Sequence, residues 1–178
     1  MKLPNTVINF HVIQNTRWME DILKMLIRHY TMVSAQQLED YYYNGLMLKN
    51  ACHITVDDGD ISVYTHLFPL VKKYRIPISI YVSPHAIKTG ENFWFQEIRN
   101  FDLKHFLDFI AGRNGQKIPF VNKHQVSAIL KSMKVQEINA LINDYKAAYK
   151  IPDRERVGMN LSQLMELKES CLVSIGAH

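Results

Sequence analysis

Apolar and polar positions fall into two rhythms along the chain. Val7-Ile8-Asn9-Phe10-His11-Val12-Ile13 is a short apolar run rich in β-branched residues and predicts a buried first strand. From Trp18 the spacing lengthens. Trp18, Ile22, Met25, Leu26 and His29 recur three and four residues apart, as on one face of a helix. Ser34, with Gln37 three residues on, predicts a capping box for a second helix ending near Asn44-Gly45. Ala51-Cys52-His53-Ile54-Thr55-Val56 reads as a second buried strand, Ser62–Tyr74 as a helix kinked at Pro69, and Ile76–Val82 as a third strand. Strand, helix and strand at this spacing predict a βαβ unit with a parallel sheet.

From about residue 91 to 150 the strand rhythm disappears. Phe93-Trp94-Phe95 leads into helical patterns around Leu103–Ile110, Lys123–Met133 and Val135–Ala148, which predicts a helical insertion on an α/β frame. The frame resumes with a helix capped by Asn160 or Ser162 and a last strand, Leu172-Val173-Ser174-Ile175, running into Gly176-Ala177-His178. The whole reads as one domain over residues 1–178.

The 47% apolar and 21% charged content is that of a globular protein. A net charge of +4, with no run of five like charges, argues against a nucleic-acid binder. Lys72, Lys73 and Arg75 are expected on a solvated helix face, and Cys52 and Cys171 as buried free thiols. Met1-Lys2-Leu3-Pro4-Asn5-Thr6 lacks the apolar core of a leader, and no stretch has the length of a membrane span, so a cytoplasmic protein is expected.

Asp57 and Asp58 close the second strand, followed by Gly59, which permits a sharp turn. Functional groups gather at the carboxyl ends of parallel strands. Because side chains alternate along an extended chain, the two carboxylates are expected to point apart, one able to bind a cation and the other to act as a base. An acidic turn that caps the next helix through Asp58 or Asp60 is the competing structural explanation.

Ile54-Thr55-Val56-Asp57-Asp58-Gly59, followed by Leu67-Phe68-Pro69-Leu70-Val71-Lys72-Lys73-Tyr74-Arg75-Ile76-Pro77, resembles the polysaccharide deacetylase family. That family's first motif is Thr-Phe-Asp-Asp-Gly. The resemblance extends to Leu161–Leu167, to Ile8–Ile13, and to Val173-Ser174-Ile175-Gly176-Ala177-His178, which matches the approach to the second motif. It implies a distorted (β/α) barrel, of which about four frame strands make a partial barrel carrying the helical insertion. It also implies metal-dependent removal of an acetyl group from an N- or O-acetylated glycan. By this likeness Asp58 and His178 are metal ligands, with zinc the usual ion, and Asp57 is the base that takes a proton from the attacking water.

Two departures from the family lie inside the first motif: Val56 stands for its Phe, and Asp60 adds a charge after the glycine. A second motif histidine and the later motifs would follow residue 178. With two ligands rather than three, weak or absent zinc binding is expected of this chain by itself. An open half-barrel is expected to associate with itself or with a second polypeptide that completes it. Two other functions remain open. A truncated, inactive domain binding a glycan or protein partner is one, although Tyr41, Tyr42, Tyr43, Phe93, Trp94 and Phe95 read as helix-face core rather than a sugar platform. The other is a haloacid-dehalogenase-type phosphatase built on Asp58-Gly59-Asp60-Ile61-Ser62.

Overall fold

The computed structural model describes residues 3–113, 115, 117–120 and 122–178. Met1 and Lys2, at the start of the segment read as lacking a leader, and three positions of the insertion range lie outside them. The chain forms two compact units: Met1–Glu91 with Val157–His178, and Asn92–Arg156.

The first unit is built on a parallel sheet. Its strands are β1 (Thr6–Phe10), β2 (Thr31–Met32), β3 (Ala51–Val56), β4 (Ile78–Val82) and β5 (Val173–Ala177). They run β1-β3-β4-β5, with the short β2 also pairing β3. The register aligns Asn9 with Thr55, Thr55 with Ser79, and Ser79 with Ser174. Register partners share a face, so Asn9, Thr55, Ser79 and Ser174 form one polar row, and Tyr81 and Gly176 lie in the next row. The opposite face carries Ile54, Val56, Ile78, Ile80, Val82 and Val173, all in the buried core. The sheet is therefore two-sided, apolar under the helices and polar on the other face.

Helix α1 (Thr16–His29) is capped by Asn15 and buries Met19, Leu23 and Leu26. Its inward stripe is thus centred one residue beyond the face read from Trp18 and Ile22, which pack at the margin, and Met25 is exposed. Helix α2 (Ala35–Tyr43) begins with the Ser34–Gln37 capping box and has no buried residue. Tyr42 and Tyr43 are 73% and 84% exposed, which corrects their assignment to the core. Three successive helical positions sweep roughly 200° of the circumference, so they cannot all face one way.

The helix expected over Ser62–Tyr74 forms as one continuous helical run from residue 61, in which a π-helical turn, Val63–Leu67, passes directly into α3 (Phe68–Tyr74). Pro69 therefore lies inside the helical run, as expected, and the π-helical turn just before it is where the ladder departs from α-helical bonding. Lys72, Lys73 and Arg75 are exposed. Helix α4 (Pro84–Thr89), absent from the sequence reading, follows β4. Cys52 is buried and free, whereas Cys171 is exposed. Cys171 has φ +57, in the turn that takes the chain into β5, and this turn carries its side chain outward.

The second unit is helical: α5 (Trp94–Glu97), a 3₁₀ turn over Ile98–Asn100, α6 (Leu103–Arg113), α7 (Lys123–Lys131) and α8 (Val135–Tyr149). It has its own core around Phe106, Leu107, Leu130, Ile142 and Tyr145. Trp94 packs against this core, while Phe95 is 39% exposed and stacks with Phe93 at 5.2 Å. Helix α9 (Leu161–Glu169), capped by Asn160, belongs to the first unit and buries Leu164 and Leu167 beside β5. No helix among the described residues is long and apolar enough to cross a membrane.

Candidate active site

Asp57 and Asp58 stand just past the end of β3, at the carboxyl edge of the sheet. The backbone N–H of Asp57 still donates to Phe10 O (2.9 Å), so Asp57 holds the strand register while the chain turns immediately after it. Asp58 has φ +67 and Gly59 φ +68, and Gly59 N donates to Asp57 O (2.9 Å). The chain is thus not extended here, and strand alternation does not govern where the two carboxylates lie. Both converge on one imidazole. His178 Nε2 lies 3.7 Å from Asp57 Oδ2, and His178 Nδ1 lies 4.0 Å from Asp58 Oδ1.

Three features fix this turn. A side chain at position 59 would place its Cβ 2.9 Å from Val82 Cγ1, so only glycine fits the contact and the positive φ together. Met159 N donates to Gly59 O (2.8 Å) and Ile61 N to Val157 O (2.8 Å), tying the segment before α9 onto the acidic turn. Asp60 is buried and its Oδ1 accepts from Ser62 N (2.9 Å). It is the local cap of the following turn, which gives no support to a phosphatase built on Asp58 and Asp60. His178 is placed from β5: its N–H donates to Val82 O (2.9 Å) and extends the β4–β5 ladder by one residue.

Two further residues complete the corner, and neither was singled out from the sequence. Asn9 Nδ2 donates to Asp57 Oδ2 at 2.7 Å, and Asn9 Oδ1 accepts from Thr55 Oγ1 at 3.3 Å. His11 Nε2 lies 3.6 Å from the same Asp57 oxygen. Asn9 and His11 are two residues apart, so the alternation of β1 and the strand order were the available signals.

The corner joins a tethered carboxylate to a second carboxylate that shares a histidine with it. Asp57 and Asp58 keep 16% and 13% of their side-chain surface accessible, and His178 keeps 48%. Two ligands of a tetrahedral zinc ion stand about 3.3–3.4 Å apart, so Asp58 Oδ1 and His178 Nδ1, at 4.0 Å, would need to close by about 0.6–0.7 Å to share one. Among the described residues, no group of three His, Cys, Asp or Glu side chains is gathered to hold a metal ion. The donors present fit one side of a divalent ion rather than a full three-ligand site.

Comparison with known proteins places this geometry in a fold. No protein-family model matches the chain, and no curated protein sequence does. Solved structures do. IcaB from Ammonifex degensii matches over 97% of this chain and 52% of its own length, at 21% identity and a TM-score of 0.54. The de-N-acetylase from Aggregatibacter actinomycetemcomitans matches over 98% and 54%, at 16% identity and TM-score 0.56. The deacetylase domain of BpsB from Bordetella bronchiseptica matches over 98% and 54%, at 17% identity and TM-score 0.55. The chain has the α/β fold of these proteins, a partial (β/α) barrel, and spans about half their length.

Proposed function

We propose that the Asp57–Asp58–His178 corner is the base-and-metal side of a deacetylase centre acting on an N- or O-acetylated glycan. One observation carries the reading: two carboxylates that follow β3 and a histidine that follows β5, on either side of β4, meet at the carboxyl edge of a parallel sheet whose fold is that of de-N-acetylases. Asp58 and His178 would hold a divalent ion, zinc being suited to a carboxylate–imidazole set, with further ligands from another segment or a second polypeptide. Such an ion, when bound, lowers the pKa of water and polarises the acetyl carbonyl.

The protein's own part is proton handling and orientation. Asp57, with one oxygen fixed by the Asn9 amide, accepts the proton of the water that attacks the acetyl carbonyl carbon. Asn9 stops the carboxylate from rotating away, and Thr55 stops Asn9 from doing so. His11 Nε2 and His178 Nε2 flank the same oxygen, and the second leaves His178 Nδ1 to face the ion. The test is acetate release from a fully acetylated N-acetylglucosamine oligomer, with and without added divalent ions. Metal-dependent release that is abolished by Asp57→Asn is the expected result. Release that survives Asp57→Asn, or release undiminished when every divalent ion is removed, would overturn the proposal.

A further inference from the structure

The polar face of the sheet leads into the corner, and one of its residues is an aromatic with no role in the core. Tyr81 continues the register that pairs Val56 with Ile80, so it stands on the strand beside Asp57 and one row on from the polar row. On its other side it pairs with Gly176, two residues before His178. The ring lies over the β5 backbone at that glycine. A side chain at position 176 would put its Cβ 2.7 Å from Tyr81 Cδ1 and 2.8 Å from Cε1, so the ring fills the space that any other residue would claim. Gly176 has an ordinary φ, and so its smallness serves the ring rather than a turn. Tyr81 nevertheless remains 37% exposed, while its neighbours Ile80 and Val82 are buried under the helices.

We infer that Tyr81, seated on Gly176, is a sugar-ring subsite of the corner, stacking a pyranose next to the one whose acetyl group is presented to Asp57. This rests on the deacetylase reading and adds the form of the substrate, a chain of at least two linked rings. The chemistry matches on two counts. A pyranose offers an apolar C–H face, which an aromatic ring covers, and a girdle of hydroxyl groups. The surrounding row supplies small hydrogen-bonding groups for that girdle, Thr55 and Ser174, with Asn9 at the base. The spacing also fits. One row of a strand pair and one inter-strand step are about 7 Å and 4.8 Å, on the scale of one sugar ring.

The test is an NMR titration of the protein with a pentamer of N-acetylglucosamine, and separately with sodium acetate. The Tyr81 ring resonances should shift with the pentamer and not with acetate. Tyr81→Phe should keep the affinity, because the ring and not the hydroxyl is used, while Tyr81→Leu should weaken it about three- to tenfold. Gly176→Ala should weaken binding as much as Tyr81→Leu, by pushing the ring off the strand. Unmoved ring resonances, equal binding by Tyr81→Leu, or loss on Tyr81→Phe would overturn the inference. The deacetylase reading fails separately. Tyr81-dependent pentamer binding without acetate release supports the subsite and counts against the enzyme. Asp57-dependent acetate release with the same KM in Tyr81→Leu does the reverse.

Discussion

Gly59→Ala is the substitution that most directly stresses the turn on which the corner depends. Two costs are built into the position. A residue with a Cβ at φ +68 pays about 1–2 kcal/mol for the left-handed conformation. The new Cβ would also sit 2.9 Å from Val82 Cγ1, whose side chain is 4% exposed and has little room to retreat, and such overpacking costs about 1–3 kcal/mol. Together they predict a loss of about 3 kcal/mol, or roughly 6–12 °C in midpoint for a chain of this size. Thermal unfolding followed by circular dichroism reads the shift. A cycle with Val82→Ala separates the two costs, because trimming Val82 removes the clash and leaves the backbone strain. The double variant should therefore be less destabilised than the sum of the singles, by about 1 kcal/mol or more. Gly112→Ala serves as the control. It lies in helix α6 with an ordinary φ and nothing near its added Cβ, so it should gain about 0.5–1 kcal/mol. Additive singles, or a Gly59→Ala variant as stable as the parent, would refute the reasoning.

Further predictions concern ionisable and polar groups. His53 is 2% exposed; its Nδ1 donates to Val33 O (2.7 Å), and its Nε2 accepts from Ser79 Oγ (2.9 Å). Burial pushes its pKa below the ordinary value, opposed in part by the Val33 bond. The unfolded chain therefore binds the proton more readily, and stability should be full above about pH 6.5 and fall as pH drops below it. Urea unfolding between pH 7.5 and 5 should show that slope in the parent and a weaker one in His53→Gln. Glu20 is held at a pKa of about 2 by hydrogen bonds from Lys73 and then Tyr74. Its contribution should be present above about pH 4.5 and lost as pH falls toward 2, a loss that Glu20→Gln should remove from the acid-unfolding curve. Asn9→Ala should lower acetate release about tenfold, the worth of one hydrogen bond to a charged group. Asn9→Asp should lower it further by setting a second carboxylate against Asp57, with circular dichroism unchanged in both.

Much of the frame was legible in the sequence because β-branched runs and cap residues act locally. The strands around Ile54 and Ile80 and the Ser34–Gln37 box follow from neighbouring residues alone. The two-sidedness of the sheet was visible too, but was read as uniform burial. Asn9, Thr55, Ser79 and Ser174 each stand between two more apolar positions of their own strand, and that alternation marks the polar face. What no local pattern could supply was the turn at Asp58. Alternation holds only while the chain stays extended, and a left-handed residue followed by Gly59 brings the second carboxylate to the same imidazole as the first. Asn9 was missed for a related reason. Its partner, Asp57, is 48 residues away and meets it only through the β1–β3 pairing. The place of Pro69 inside a helix was legible, because the run up to Tyr74 is helical on both sides of it; the π-helical turn just before it was not.

The central claim is that Asp58 and His178 are ligands of one divalent ion, with Asp57 beside them as the base. Calorimetric titration of the purified protein with zinc tests it most directly, using the parent, Asp58→Ala, His178→Ala and Asp57→Asn. The account predicts weak binding by the parent, lowered roughly tenfold or more by each of the first two substitutions and changed only a few-fold by Asp57→Asn. Zinc binding indifferent to both Asp58→Ala and His178→Ala would contradict it.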